Sequence, residues 1–262
     1  MTDYISYLDI PHHWGLRRGD AVLLSSYISR ILLNCKEHGE RFNPNLFFDS
    51  ILDVIGEEGT LLIPTYSWDF CHQTAFDYKK TKSQVGVLGD QALRNPKFRR
   101  TRHPLYSFAV AGKDQQLLCD MNNVSSFGSD SPFAYLERVH AKQVMMDVEY
   151  DQLWGFTYVH YVEEKVVDKI PYRFLKTFEA PYIDENGETT IRHYSMLVRN
   201  LDMEVVNELP PLAEALVMKG ILKSNLINGI NYGVVDLNAS TEVIMQDILE
   251  NKSRLFTRYK GQ

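Results

Sequence analysis

An α/β fold, with a mixed central β-sheet flanked by helices, is what this 262-residue sequence predicts, and three observations carry that prediction. The stretch from residue 21 to 66 alternates short apolar runs with a helical pattern, the signature of a strand–helix–strand unit. Further short apolar runs follow, at 107–112 and 142–150, each too brief for a buried helix and bounded by turn residues. Finally, Asn186-Gly187 lies between two alternating segments, a strong hairpin signal that makes part of the sheet antiparallel.

Taken in order, "AVLLSS" (21–26) follows a Gly-Asp turn and reads as a buried strand. In "NPNLFFDSILDVIG" (43–56), Asn43-Pro44 is a cap and first-turn pair, the apolar spacing of Leu46, Phe47, Ile51, Leu52 and Ile55 is helical, and Gly56 ends the pattern. "TLLIPTY" (60–66) is the next strand, cut by Pro64. A loop-rich region to Pro104 holds one short helix at 88–94. "SFAVAG" (107–112) is a strand, "SPFAYLERV" (131–139) a helix opened by Ser131-Pro132, and "KQVMMDVEY" (142–150) a strand. A helix covers 156 to about 167, and the hairpin spans 174–200. "PPLAEALVMKG" and "STEVIMQDILENKSRLF" are helices around a strand pair at 221–237. No repeat, low-complexity segment or linker divides the chain, so a single domain over 1–262 is expected.

Composition narrows the function. Formal net charge is −6 at pH 7, and nucleic acid is excluded as a partner because phosphate contacts need a basic face. The one basic cluster, "RNPKFRRTRH" (94–103), suits either a solvated loop or a single anionic ligand. No apolar run is long enough to span a membrane, and no secretion signal is legible at the N-terminus. Three widely spaced cysteines, Cys35, Cys71 and Cys119, fit a reducing cytoplasm and no disulfide framework.

The chemistry concentrates in "FTYVHYVEE" (156–164). Thr157, His160 and Glu163 fall three residues apart on one helix face, and both Glu163 and Glu164 are within reach of the imidazole. A carboxylate on one ring nitrogen fixes the tautomer and raises the basicity of the other, as a general base near neutral pH requires. The helix alone also fits a plain amphipathic reading, with Val159, Val162 and Val166 as its core stripe and His160 at the edge. A zinc site would need His103 or His193 as a further ligand, and no metal signature joins them.

Other segments change the balance. "SILDVIGEEGTLLIPTYS" (50–67), "SQVGVLGDQALRNPKFRRTRHPLYSFAVAG" (83–112), "FGSDSPFAYL" (127–136) and "FTYVHYVEE" occur in an order that resembles the aminoglycoside 3-N-acetyltransferase family, the antibiotic acetyltransferases whose fold is not that of the GNAT enzymes. The resemblance covers roughly residues 16 to 165 and, more loosely, the remainder. It implies transfer of an acetyl group from acetyl-coenzyme A (acetyl-CoA) to an amine on a sugar-like acceptor, by direct attack and without a metal. Catalysis then falls to His160 as base, Glu163 as its orienting group, and Thr157 as a hydrogen-bond donor near the thioester oxygen or a support for the histidine. For the cofactor, the resemblance implies Ser25 and Ser26 beside the pantetheine, where Leu24 departs from the family's histidine. It also implies the segment Val85, Gly86 and Val87, a phosphate contact from Arg102 in the Arg99–Arg102 cluster, and Ser131 with Phe133. Ser131 is equally a helix cap, and "RHPLYS" equally a turn whose histidine is satisfied by backbone. Cys71 and Cys119 are expected to be packing residues, because a thioester needs no protein nucleophile.

For the acceptor, no dense acidic loop appears at 67–82 or 150–156, whereas Tyr66, Trp68, Trp154, Phe156, Tyr158 and Tyr161 give an aromatic character. Tyr66, Trp68, Asp69, His103, Ser107 and Tyr161 are the expected acceptor-side residues. Aromatic faces suit sugar rings and a nucleotide base, and Arg173 or Lys176 could meet a diphosphate. The pattern resembles family members that acetylate a nucleotide-linked deoxyamino sugar in surface-polysaccharide (lipopolysaccharide O-antigen) biosynthesis. Acetylation of an aminoglycoside is the alternative, and a non-catalytic CoA- or sugar-binding protein a second one. A homodimer is compatible with the sequence.

Overall fold

The computed structural model describes residues 4–148 and 155–262; the expectations placed on Trp154 and the rest of 149–154 lie outside them. Strands are Ala21–Ser26 (β1), Thr60–Pro64 (β2), Phe76–Asp77 (β3), Arg99–Arg100 (β4), Phe108–Gly112 (β5), Lys142–Met146 (β6), Arg173–Ile183 (β7), Thr189–Arg199 (β8), Val206–Asn207 (β9), Leu222–Ile227 (β10), Ile230–Asp236 (β11) and Thr257–Arg258 (β12). Helices are Ser29–Glu37 (α1), Pro44–Ile55 (α2), Val87–Arg94 (α3), Gln115–Asp120 (α4), Pro132–Arg138 (α5), Val159–Lys165 (α6), Pro210–Met218 (α7) and Leu237–Asn251 (α8).

The central sheet runs β10-β11-β6-β1-β2-β5-β4. β1 is parallel to both β2 and β6, and the outer pairings are antiparallel, so the sheet is mixed. Side chains of β1 alternate between two cores: Ala21 and Leu23 join one, Val22 and Leu24 the other. Helices must therefore cover both faces, which explains why β1 and β2 read as continuous apolar runs. Ile31, Phe47, Phe48 and Ile51 from α1 and α2 pack one face; Tyr135, Val162, Leu212 and Ile244 from α5 to α8 pack the other.

The hairpin forms around Asn186-Gly187, with the Asp184 carboxylate accepting from the backbone N–H of Asn186 and Glu188 and Gly187 at φ 89°. It does not extend the central sheet. β7 and β8 make a separate sheet with β3, which corrects the expectation of one continuous sheet. Local pairing signals fix a hairpin's register but not the surface on which it docks. The helix expected from 156 begins only at Val159: Thr157 lies in the preceding turn, its carbonyl accepting from His160 N–H at 3.1 Å.

Among the described residues, no helix is long and apolar enough to cross a membrane, and no cluster of three potential metal ligands occurs.

Candidate active site

In sheets of this kind, ligands bind in the crevice beyond the carboxyl ends of the parallel strands. That is where β1 and β2 end here. A channel of about 560 Å³ is walled by Leu24, Ser25, Ser26 and Tyr27 at the end of β1 and by Ile63, Pro64 and Tyr66 at the end of β2. Its opposite wall is Gln84, Val85 and Gly86, leading into Leu88 and Gly89 of α3. The helix can approach this closely because position 89 has no side chain: a Cβ there would lie 2.5 Å from the Pro64 carbonyl oxygen. Gly86, at φ 89°, turns the chain into α3. Gly89→Ala should push α3 off β2 at a cost of about 1–3 kcal/mol, readable by chemical denaturation.

A second cavity, of about 360 Å³, is lined by Phe156, Val159, Glu208, Leu209 and Pro210. Gly155, Thr157, His160 and Asn207 line both spaces. His160 thus stands where the two meet.

The geometry around His160 pairs its ring with a buried carboxylate. Its Nδ1 lies 2.5 Å from the Glu163 carboxylate, across one turn of α6. Glu163 is fully buried and receives the Arg173 Nε–H at 3.1 Å. Burial works to raise the Glu163 pKa, but His160, Arg173 and Tyr172 together hold it below the ordinary carboxylate value. An ionised Glu163 accepts the Nδ1–H and leaves the ring's lone pair on Nε2 of His160, a residue that borders both cavities. Burial, reinforced by Arg173, holds the imidazole below its usual pKa despite Glu163, so it is neutral at pH 7. Glu164, the other candidate for orienting His160, instead accepts from Ser125 Oγ. The Thr157 hydroxyl makes one long contact, 3.5 Å to the Gly155 carbonyl, and is otherwise available on the channel wall.

Of the expected cofactor residues, Ser25, Ser26, Val85 and Gly86 line the channel. Leu24, in place of the family's histidine, gives it an apolar wall. Val87 opens α3 and is exposed, outside the lining. Arg102 is elsewhere: it pairs with Glu185 at 3.0 Å beside the β7–β8 turn. Arg100 of the same run is structural: it is buried, donating to the Thr65 and Thr81 carbonyls and to Ser107 Oγ, with its guanidinium over Phe76. Arg102→Ala should therefore leave acetyl-CoA affinity unchanged and cost less than about 1 kcal/mol of stability; a fall in affinity by calorimetry would restore the phosphate role. Ser131 is buried as the cap of α5, its Oγ accepting from Ala134 N–H, and Phe133 packs between Phe108 and Phe127 in the core. Neither reaches the channel, because a cap and its first helical turn face the core whenever the helix packs there.

On the acceptor side, Tyr66 and Trp68 line the channel. Asp69 does not line it, but its carboxylate accepts from the Gln84 side chain, which does. His103 is buried away from the channel: its Nδ1 accepts from the backbone of Leu105 and Tyr106, its Nε2 donates to the Val124 carbonyl, and burial lowers its pKa to about 3. It is the backbone-satisfied turn histidine. Ser107, also buried, bonds Thr65 and Arg100 behind the channel wall. Tyr161 points from α6 to Glu137 and is outside both linings. Burial pushes the thiols of Cys71 and Cys119 up to about 11, as packing residues.

Three further residues build the site. Gln143, buried on β6, donates from Nε2 to Ser25 Oγ at 2.9 Å and to the Gly155 carbonyl at 3.0 Å, tying the channel floor to the turn before His160. An amide on the same face as the core residue Met145 was its sequence signal. Arg173 and Asn207 carry no such signal, because their neighbours are set by the docking of β7 and β9. An aromatic chain, Trp68–Tyr106–Phe127–His160, connects the channel wall to the imidazole, with ring separations of 6.1, 4.7 and 5.8 Å.

The aminoglycoside 3-N-acetyltransferase family model matches residues 38–248. The chain belongs to this family. By that membership it is an acetyl-CoA-dependent N-acetyltransferase. It is 23% identical over 206 residues to the SPbeta prophage-derived aminoglycoside N(3')-acetyltransferase-like protein YokD of Bacillus subtilis (strain 168), covering 70% of this chain and 71% of that one. The fold is similar to that of aminoglycoside acetyltransferase AAC(3)-Xa (TM-score 0.77, 22% identity, 95% and 94% of the two chains). It is also similar to AAC-IIIb in its binary complex with CoASH (TM-score 0.74, 19% identity, 99% of each chain).

Proposed function

We propose that the chain acetylates an amine of an aminoglycoside-type acceptor, using acetyl-CoA, by direct attack with His160 as general base. The observation that carries this reading is the convergence of two cavities on one neutral imidazole whose second nitrogen is held by a buried carboxylate. The channel between the end of β1 and residues 84–86 suits the pantetheine arm: narrow, largely apolar, and bordered by backbone at Gly86. The cavity toward Glu208 suits the acceptor.

As the amine nitrogen forms its bond to the thioester carbonyl carbon, His160 Nε2 takes the amine proton. Glu163 stabilises the resulting imidazolium. The C–S bond breaks, and the imidazolium returns the proton to the departing thiolate. Thr157 is placed to donate to the thioester oxygen as charge develops there. Sequestering amine and thioester together in the two cavities contributes on the order of 7–11 kcal/mol in favourable cases.

One observation favours a second acceptor class, a nucleotide-linked deoxyamino sugar of surface-polysaccharide biosynthesis. Among the described residues lining either cavity, Glu208 is the one carboxylate, and it faces Arg258 at 3.5 Å. A polycation gains most from several carboxylates, whereas the acceptor cavity is otherwise bordered by the apolar side chains of Phe156, Val159, Leu209 and Pro210. Incubation with acetyl-CoA and a panel holding both amine classes, followed by free-thiol release, separates the two. Turnover of aminoglycosides supports the first reading, and turnover confined to nucleotide-linked amino sugars overturns it.

A further inference from the structure

The groups facing the His160–Glu163 pair come from four places. Glu163 is on α6 itself, Tyr172 lies just before β7, Arg173 is the first residue of β7, and Arg199 ends β8. Arg173 is nearly fully buried, so its charge is not screened by water. Its Nε donates to Glu163 at 3.1 Å, and its Nη2 donates to Asn207 Oδ1 at 2.8 Å. Asn207, on β9, in turn borders both cavities.

A buried carboxylate 2.5 Å from an imidazole, with no other partner, would draw a proton onto the ring and leave it unable to act as a base. A cation on the far side of that carboxylate removes the pull while leaving its oxygen to hold Nδ1. We propose that Arg173, steadied by Asn207, is a positioning residue that balances the charge of Glu163, so that His160 keeps a free Nε2 lone pair at neutral pH. This rests on the reading of His160 as the base. After burial itself, Arg173 is the strongest influence lowering the imidazole's proton affinity, ahead of Arg199.

The test uses the full chain labelled with ¹⁵N-histidine, reading the protonation of His160 from its ring ¹⁵N shifts, with its signals assigned by their loss in His160→Ala. Arg173→Gln keeps a hydrogen-bonding amide but removes the charge. The expected result is an upward shift of the His160 titration midpoint and an equal alkaline shift of the acid limb of turnover, with KM for acetyl-CoA unchanged. Arg173→Lys should return both toward the parent. An unmoved midpoint in folded Arg173→Gln, or a loss of turnover equal at all pH values, overturns the proposal. Should Arg173→Gln not fold, Asn207→Ala, at an exposed residue, reads the same quantity: a smaller upward shift is expected, and no shift overturns the proposal. The ring titration is independent of turnover, so failure of the base reading appears separately, as undiminished turnover in His160→Ala.

Discussion

His160→Ala should lower acetyl transfer by roughly 10²–10⁴-fold, the usual contribution of a positioned base, while acetyl-CoA still binds. The two effects separate because the channel is built chiefly from the ends of β1 and β2 and from residues 84–89, with His160 only at its inner end. Steady-state turnover and calorimetric binding on the same preparations check both. The pH dependence follows from the same environment. Burial and Arg173 hold the imidazole below its ordinary value of 6.5, so the neutral, proton-accepting form persists into mildly acidic solution. The midpoint of the acid limb of turnover in the parent should therefore lie below the ordinary histidine value of about 6.5. An acid limb above that value would mean that Glu163 dominates Arg173 at the ring.

Substitution of Glu163 should have the largest combined effect on stability and rate. Glu163→Ala leaves the buried Arg173 guanidinium without its carboxylate, and breaking one side of such a pair costs about 3–5 kcal/mol. Tyr172, which donates to Ser253 Oγ and helps to hold Glu163 ionised, loses that neighbour as well. Denaturant unfolding measures that loss. Glu163→Gln is milder for the fold but damaging to the chemistry. An amide that donates to Nδ1 moves the ring proton to Nε2, the nitrogen that must accept from the amine. A tautomer error of this kind costs on the order of 10²–10⁴ in turnover. If Glu163→Gln turned over normally, the carboxylate would be serving the fold alone.

Much of this was legible in the sequence because the deciding signals were local. Asn43-Pro44 capped α2 as expected, with Asn43 Oδ1 accepting from Asn45 and Leu46 N–H. Ser131-Pro132 opened α5, and Asn186-Gly187 made the hairpin. The His160–Glu163 pair was visible because one helical turn brings its members together. What failed to transfer was direction. In the arginine run, Arg100 on β4 turned inward to satisfy buried carbonyls, whereas Arg102, beyond the end of that two-residue strand, paired with Glu185. Tyr161 lies one position past His160, about 100° around the helix, which aims it at α5 rather than at the cavities. Arg173 was noticed only as a candidate diphosphate contact. Its role depends on β7 docking beside α6, and no spacing in the sequence encodes that.

In the proposed reaction His160 stands between a coenzyme channel and an acceptor cavity. The most direct measurement is a crystal structure of the full chain with coenzyme A bound. The pantetheine is expected between residues 24–27 and 84–86, with its sulfur near the inner end of the channel. A thioester carbonyl built there would leave room for an amine nitrogen about 3.5 Å from the carbonyl carbon and within hydrogen-bonding reach of His160 Nε2. Coenzyme bound elsewhere, or its thiol facing away from His160, would contradict it.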